Sequence, residues 1–318
     1  MAERDGSAVG AGPVVVVGAH GQSLLLHVDA VPREGETVLA VGYDEPEDGG
    51  KATNQAVAAV KLGAPVRLVT MIGNDSRGER WRAILDGYGI DTRYVLEEDG
   101  PTDVGFVMLP PSRIPAIASS RDLSIALDGD AVLSAAAAFA DASVAVCQLE
   151  APQSCALAAF RLARAGGART ILNPAPSADL DPDLVALTDI LVPNEHEAAA
   201  LDGGQGPPDV LAGRLARRFG CAVVVTAGPR GCFADAPGLG RWHCPAPVVQ
   251  AADTTGAGDA FVGALAVRLR AGDDLAAAAA FATRVASVSV TKPGTMPSYP
   301  VAAELEPASA AEGVTGPT

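Results

Sequence analysis

The sequence predicts an α/β fold, with a mostly parallel sheet covered by helices on both faces. Short β-branched runs recur along the 318 residues, and helical patterns lie between them. Strand and helix alternating in this way mark a parallel sheet whose ligand sites lie at the carboxyl ends of the strands. Hydrophobic residues make up 48% of the chain, enough to fill a sizeable core.

The first run, PVVVVGA (13–19), is stopped by glycine, the look of a buried parallel strand. The same look returns in VRLVTMIG (66–73), ASVAVCQL (142–149), RTILNPAP (169–176), DILVPNE (189–195) and AVVVTAG (222–228). Between them, apolar residues at helical spacing predict helices over TNQAVAAVKLGA (53–64), GERWRAILDGYGI (78–90), SCALAAFRLARAGG (154–167), DVLAGRLARRFG (209–220) and DAFVGALAVRLRAG (259–272). AVLSAAAAFA (131–140) and LAAAAAFA (275–282) read as buried Ala-rich helices, well short of the roughly 20 residues a bilayer requires. Two stretches near 36–50 and 101–127 lack helical periodicity and carry Pro-rich or acidic turns, so they predict an accessory sheet. A single domain is expected over 13–300, with residues 1–12 and 302–318 as small, polar, disordered tails.

The formal net charge is −15, with no basic run, which argues against a nucleic-acid partner. The polar N-terminus lacks the basic start and apolar middle of a secretion signal, so the expectation is a cytoplasmic protein without a membrane partner. Cys147, Cys155, Cys221, Cys232 and Cys244 form no C-x-x-C pair and fit reduced, buried thiols. The adjacent His243 and Cys244 are a weak basis for a metal site.

The chemistry concentrates in ADTTGAGDAFVGAL (251–264). A helix starting after the glycines offers unpaired backbone N–H groups that can receive an anion. Asp259 reads either as a helix cap or as a base that takes a proton from a hydroxyl while the amides of Gly256, Ala257 and Gly258 hold the transferring charge. Neither a phosphate-binding G-x-x-x-x-G-K-[ST] loop nor a G-x-G-x-x-G turn after the first strand is present. A second corner, EDGGKATNQAVAAVKLGA (47–64), sets Gly49 and Gly50 before a helix with Lys51 and Asn54 in its first turn. It reads either as a plain strand-to-helix corner or as a site for a small hydroxylated ligand.

These two stretches, with MIGND, QLEAP (148–152), LNPAP (172–176), VPNEHEA (192–198), TAGPRG (226–231) and TKPGTMPS (291–298) in order between and after them, resemble the ribokinase-like (PfkB-type) carbohydrate kinases over roughly 13–300. The resemblance implies a three-layer α/β/α fold with a small β-sheet lid made by the two non-helical stretches, ATP as phosphoryl donor, Mg²⁺, and K⁺ as activator. It implies Asp259 as the base that activates a primary hydroxyl of a sugar or sugar-like acceptor, with the 256–258 amides as anion hole. Gly49, Gly50, Lys51, Asn54 and Glu150 would line the sugar site. Asn194, Thr226, Gly228 and Gly231 would face ATP, while Asn194 and Glu197 would hold Mg²⁺ through water; otherwise Glu197 is a solvated helix carboxylate. Asp253 and Thr255, with backbone carbonyls around Ser289, Lys292, Gly294 and Ser298, would surround the monovalent cation, the competing reading of Asp253 being a plain Asx turn. A homodimer through the lid follows.

In VVGAHGQSLLLHV, an ungapped count puts Ser23 where the family usually has a sugar-gripping Asp, and Gly21 where Asn is usual. Losing a charge-assisted contact typically costs about 1.5–3 kcal/mol. His20 or Gln22 are the candidates to replace it, and Pro110, Pro111 and Pro115 stiffen the lid. A nucleoside kinase and a non-catalytic sugar- or nucleotide-sensing protein of the same fold are the alternative functions.

Overall fold

The computed structural model describes residues 12–112, 114, 116–120 and 126–305. The chain runs β1 (Val14–Val17), β2 (Gln22–Val28), β3 (Ala40–Asp44), α1 (Gly50–Lys61), β4 (Val66–Gly73), α2 (Ser76–Tyr88), β5 (Val95–Glu98), β6 (Val104–Leu109) and β7 (Ala116–Ser119). It continues with α3 (Gly129–Ser134), β8 (Val144–Gln148), α4 (Gln153–Ala165), β9 (Arg169–Asn173), α5 (Pro182–Ala186), β10 (Ile190–Leu191), α6 (Glu195–Asp202) and α7 (Pro208–Phe219). The last elements are β11 (Ala222–Thr226), β12 (Cys232–Ala236), β13 (Gly240–Cys244), α8 (Ala257–Arg270) and α9 (Leu275–Ser289).

Nine strands form the main sheet in the order β13-β12-β11-β10-β9-β8-β1-β4-β5. All its pairings are parallel except β11–β12 and β12–β13. Side chains alternate across a strand, so β1 feeds both cores. Val14 and Val16 join Trp81, Leu85, Leu265 and Ala282 on the side of α1, α2, α8 and α9, whereas Val15 and Val17 join Phe160, Leu201, Leu211 and Leu215 on the side of α4, α6 and α7. That is the expected three-layer α/β/α arrangement. Local chemistry sets several helix starts: Asp75, Asp128 and Asp274 accept backbone N–H bonds at the first turns of α2, α3 and α9. Gly89, in the left-handed region, ends α2.

The small sheet has the order β3-β2-β6-β7, with β2 and β6 parallel and the other pairs antiparallel. The expected lid stretches supply β3, β6 and β7. Its central strand β2 comes from QSLLLHV, which follows the first buried strand and carries no turn-rich signal of its own. Pro110 and Pro111 lie just after β6, while Pro115 and residues 121–125 lie outside the described residues.

Two further expectations are corrected, and one element was not foreseen. The helix over 131–140 is α3 followed by a 3-10 turn, Ala136–Phe139, whose tighter winding brings Ala138 and Phe139 into the core. The edge hairpin β12–β13 lay hidden because CFADAPGLGRWHC alternates only briefly around its turn. The tails are shorter than expected: Gly12 accepts a bond from Arg270 Nε at 2.6 Å, and Ala302–Glu304 is a 3-10 turn tied to Lys292 through Glu304 at 2.8 Å. Residues 1–11 and 306–318 lie outside the described residues. All five cysteines are buried free thiols, as expected. Among the described residues no helix is long and apolar enough to cross a membrane.

The contact between α1 and α8 is close enough to depend on one glycine. A Cβ on Gly263 would stand 2.7 Å from both the Ala58 Cβ and the Gln55 carbonyl oxygen. Gly263→Val should therefore destabilise the protein by about 1–3 kcal/mol through overpacking, read as a lower denaturant midpoint by circular dichroism. An unchanged midpoint would show that the two helices can move apart freely.

Candidate active site

The 251–264 corner closes on a glycine that no other residue could replace without rearrangement. Gly256 has φ +72°, and a Cβ on it would lie 2.5 Å from the Tyr299 hydroxyl. It precedes α8, and no side chain caps this helix. Asp259, in the first turn, is not the cap that one reading allowed. Its side chain crosses to α1, where Oδ1 accepts from Gln55 Nε2 at 2.9 Å and Oδ2 from Asn54 Nδ2 at 3.4 Å. Only 7% of Asp259 is exposed, and burial pushes its pKa up to about 6 against the pull of Lys51 and Gln55. Of the three amides expected to form an anion hole, that of Ala257 leans on the Thr254 carbonyl at 3.3 Å. The amides of Gly258 and Asp259 fall in the first turn, whose N–H groups no helix can satisfy internally.

The second corner is more than a strand-to-helix junction. The amide of Lys51 donates to Glu150 Oε2 at 2.8 Å, so a carboxylate from the end of β8 sits on the positive end of α1. Glu150 therefore meets protein backbone as well as the cavity. Burial opposes the Lys51 charge, but Asp259, Glu150, Glu197 and Asp48 around it outweigh that effect and raise its pKa. Asp48 gathers the corner: Oδ1 accepts from Asn54 Nδ2 at 2.8 Å and from the Gly50 amide at 3.3 Å. The Gly49 amide donates to Asn54 Oδ1 at 3.3 Å.

Ser23, on β2, donates from Oγ to Asp48 Oδ2 at 2.9 Å. Neither His20 nor Gln22, the residues expected to compensate for Ser23, lines the cavity beside it. His20 is buried, with Nδ1 3.0 Å from Thr53 Oγ1 and its ring edge-on to Trp81, and Gln22 Nε2 donates to Glu45 at 3.3 Å. The sequence count could not foresee Asp48, which is 25 residues downstream.

On the other side of Asp259 stand the ends of β9, β10 and β11. Asn194 caps α6: its Oδ1 accepts from the Glu197 amide at 2.9 Å, and Glu197 Oε2 accepts from the Asn194 amide at 2.8 Å. Glu197 is thus a capping-box carboxylate facing a cavity rather than a solvated one, and burial raises its pKa. Thr226 ends β11 and is bridged to Asn194. Gly228 and Gly231 follow in the next turn with φ +53° and +84°. His196 is exposed, and His243 stacks on Phe233 at 4.1 Å. Among the described residues no group of three His, Cys, Asp or Glu side chains is placed to hold a metal.

Asp253 does form an Asx turn, accepting from Thr255 N at 2.9 Å and Thr255 Oγ1 at 2.7 Å. Its other oxygen accepts from the Gly294 amide at 3.0 Å, which ties the corner to the 289–298 loop. In that loop the Ser289 carbonyl accepts from the Lys292 amide at 3.2 Å, and Ser298 Oγ donates to the Thr295 carbonyl at 2.7 Å.

Two cavities meet at Asp259. One lies under the lid, about 370 Å³, within the range of small-molecule sites, and Ser23, Asp48, Asn54 and Glu150 line it. The other includes Asn194, Glu197, Thr226 and Gly258. Lys51, Gly256 and Asp259 line both. A carboxylate on the wall between two cavities can serve a ligand in either. Sequence reasoning missed Gln55, Asp48 and Asp103. The one signal for Gln55 is its polarity at a fully buried position in an Ala-rich helix; it also donates to Asn173 at 3.1 Å and accepts from Gln148 at 2.6 Å.

Residues 14–302 match the profile of the pfkB family carbohydrate kinases. Mouse (Mus musculus) ribokinase is 35% identical over 309 residues, covering 93% of this chain and 94% of its own. The deoxyribokinase of Salmonella typhimurium (strain LT2) is 32% identical over 306 residues, covering 90% and 95%. The structure of Arabidopsis thaliana ribokinase complexed with ribose and ATP superimposes with a TM-score of 0.83 at 28% identity, over 92% of this chain and 97% of that one.

Proposed function

The chain belongs to the pfkB family of carbohydrate kinases, and from that premise we propose that it transfers the γ-phosphoryl group of ATP to a primary hydroxyl of a sugar or sugar-like molecule held under the lid. The observation that carries this reading is Asp259, buried on the wall shared by the two cavities. In this proposal Asp259 takes the hydroxyl proton as the new O–P bond forms. Gln55 and Asn54 orient its carboxylate, and the first amides of α8 carry the charge of the transferring group. Gly49, Gly50, Lys51, Asn54, Glu150 and Ser23 serve the acceptor, and Asn194, Thr226, Gly228 and Gly231 serve ATP.

Mg²⁺ fits this side of the site: one half-buried carboxylate, Glu197, beside an amide suits a hard cation that keeps most of its waters and binds phosphate oxygens. When bound it would neutralise phosphate charge. For K⁺ the candidates are Asp253, Thr255 and carbonyls of the 289–298 loop, which the bond from the Gly294 amide to Asp253 brings together. Exposed Leu39, Val41, Tyr43 and Phe106 on the lid support pairing of two copies through this sheet.

Asp259→Asn should lower kcat by about 10²–10⁴ while leaving the KM for ATP near the wild-type value; retained activity would refute the assignment. Since the base works unprotonated, wild-type kcat/KM should rise between pH 5 and 7 with a midpoint close to Asp259's value of about 6 and level off above it. Replacing K⁺ by tetramethylammonium should slow turnover, and an unchanged rate would remove the cation from the proposal. Sedimentation velocity should give the dimer mass, reverting to the monomer mass in Val41→Lys/Tyr43→Lys; a wild-type monomer would dismiss the pairing.

A further inference from the structure

We infer that Asp48, together with Ser23, forms a paired acceptor on the cavity wall that grips the substrate in place of the carboxylate missing at position 23, and that this pair discriminates against sugar acids and phosphorylated sugars. The inference rests on the kinase reading above and adds to it the two residues that discriminate among acceptors.

The argument is a count of lone pairs. Asp48 Oδ1 is spent on the Asn54 side chain at 2.8 Å and the Gly50 amide at 3.3 Å, contacts that fix the carboxylate at the mouth of α1. Among the described residues, its Oδ2 receives only the Ser23 hydroxyl, at 2.9 Å. An ionised carboxylate oxygen can accept about two bonds, and a hydroxyl that has donated its proton still has lone pairs to accept with. Oδ2 and the Ser23 oxygen therefore stand side by side on the wall of the lid cavity as two acceptors with no second donor between them. Two neighbouring hydroxyls, each with one proton to give, complete such a pair. A carboxylate or phosphate on the ligand brings oxygens that can only accept, and so would face acceptor with acceptor.

Charge in the cavity points the same way. Among the described residues that line it, the carboxylates are Asp48, Asp103, Glu150 and Asp259, and the one ammonium is Lys51. Asp103 is only 6% exposed, on the lid side at the edge of β6. Like charges at close range inside a half-enclosed site repel far more than they do in water, so a carboxylate or phosphate of the acceptor placed beside Asp48 and Asp103 is opposed by their charge.

The test is steady-state ADP release with Mg²⁺ and K⁺, comparing D-ribose and D-fructose with D-ribonate and D-gluconate, for the wild type, Asp48→Asn, Ser23→Ala and the exchange Ser23→Asp/Asp48→Ser. The wild type should use at least one neutral sugar with kcat/KM at least about a hundredfold above the matching acid. Asp48→Asn, which keeps the shape of the side chain, should raise the acceptor KM about ten- to hundredfold while the KM for ATP stays within about twofold. Ser23→Ala leaves the anchoring of Asp48 to Asn54 and Gly50 intact, so it covers the case in which Asp48→Asn folds poorly, and it should raise the acceptor KM several-fold. The exchange returns a carboxylate across the same contact and should recover part of the loss.

An acceptor KM that Asp48→Asn and Ser23→Ala both leave unchanged overturns the inference while the kinase reading stands. So does an acid used as well as its neutral parent. A wild type that phosphorylates no acceptor overturns the kinase reading itself, and the inference falls with it.

Discussion

A buried carboxylate has to be held by something, and the arrangement of this molecule follows from how Asp259 is held. Its two oxygens take side-chain amides from α1, so α1 and α8 must lie within reach of each other. Gly263 makes that approach possible by leaving room for the backbone of α1. The same helix start that offers Asn54 and Gln55 also offers Lys51, whose charge partly offsets that of Asp259. The N-terminus of α1 is itself stabilised from outside by Glu150 at the end of β8. Core packing and site geometry are thus one problem, solved at the carboxyl edge of the parallel sheet.

What the residues announced in advance were elements that depend on near neighbours. The β-branched runs that became β1, β4, β8, β9, β10 and β11 signal themselves by composition, and the glycine corner before α8 by its sequence. What stayed hidden depends on distant partners. Strand β2 reads as an ordinary apolar run until β3 and β6 pair with it. Asp48 looks like part of an acidic turn until Ser23 arrives from another strand. His20 seemed available to a ligand because nothing nearby in sequence says that Thr53 and Trp81 enclose it. Of the candidate site, the residues of the two corners could be named from the chain, and the bonds that give them their settings could not.

The structure also divides labour among carboxylates that look alike in sequence. Glu150 and Glu197 each bond a backbone amide at a helix start, Asp253 shapes a turn, and Asp259 bonds, among the described residues, only side chains of another helix. A carboxylate that bonds backbone is committed to the shape of the chain. One held by side chains can change its protonation with the fold intact, and this separates Asp259 from its neighbours more surely than its place in a motif.

The couplings that assemble the site span long stretches of chain. Lys51 and Glu150 are 99 residues apart, and Gln55 and Asp259 are 204 apart. Contacts of such separation carry a loop-closure cost that local contacts do not. On a ribosome, the α1 corner would emerge and begin to pack long before its partner on α8 had been synthesised, leaving Lys51 and Gln55 without the carboxylate they face in the finished molecule. The site is therefore complete only once both corners, far apart along the chain, have been made and brought together.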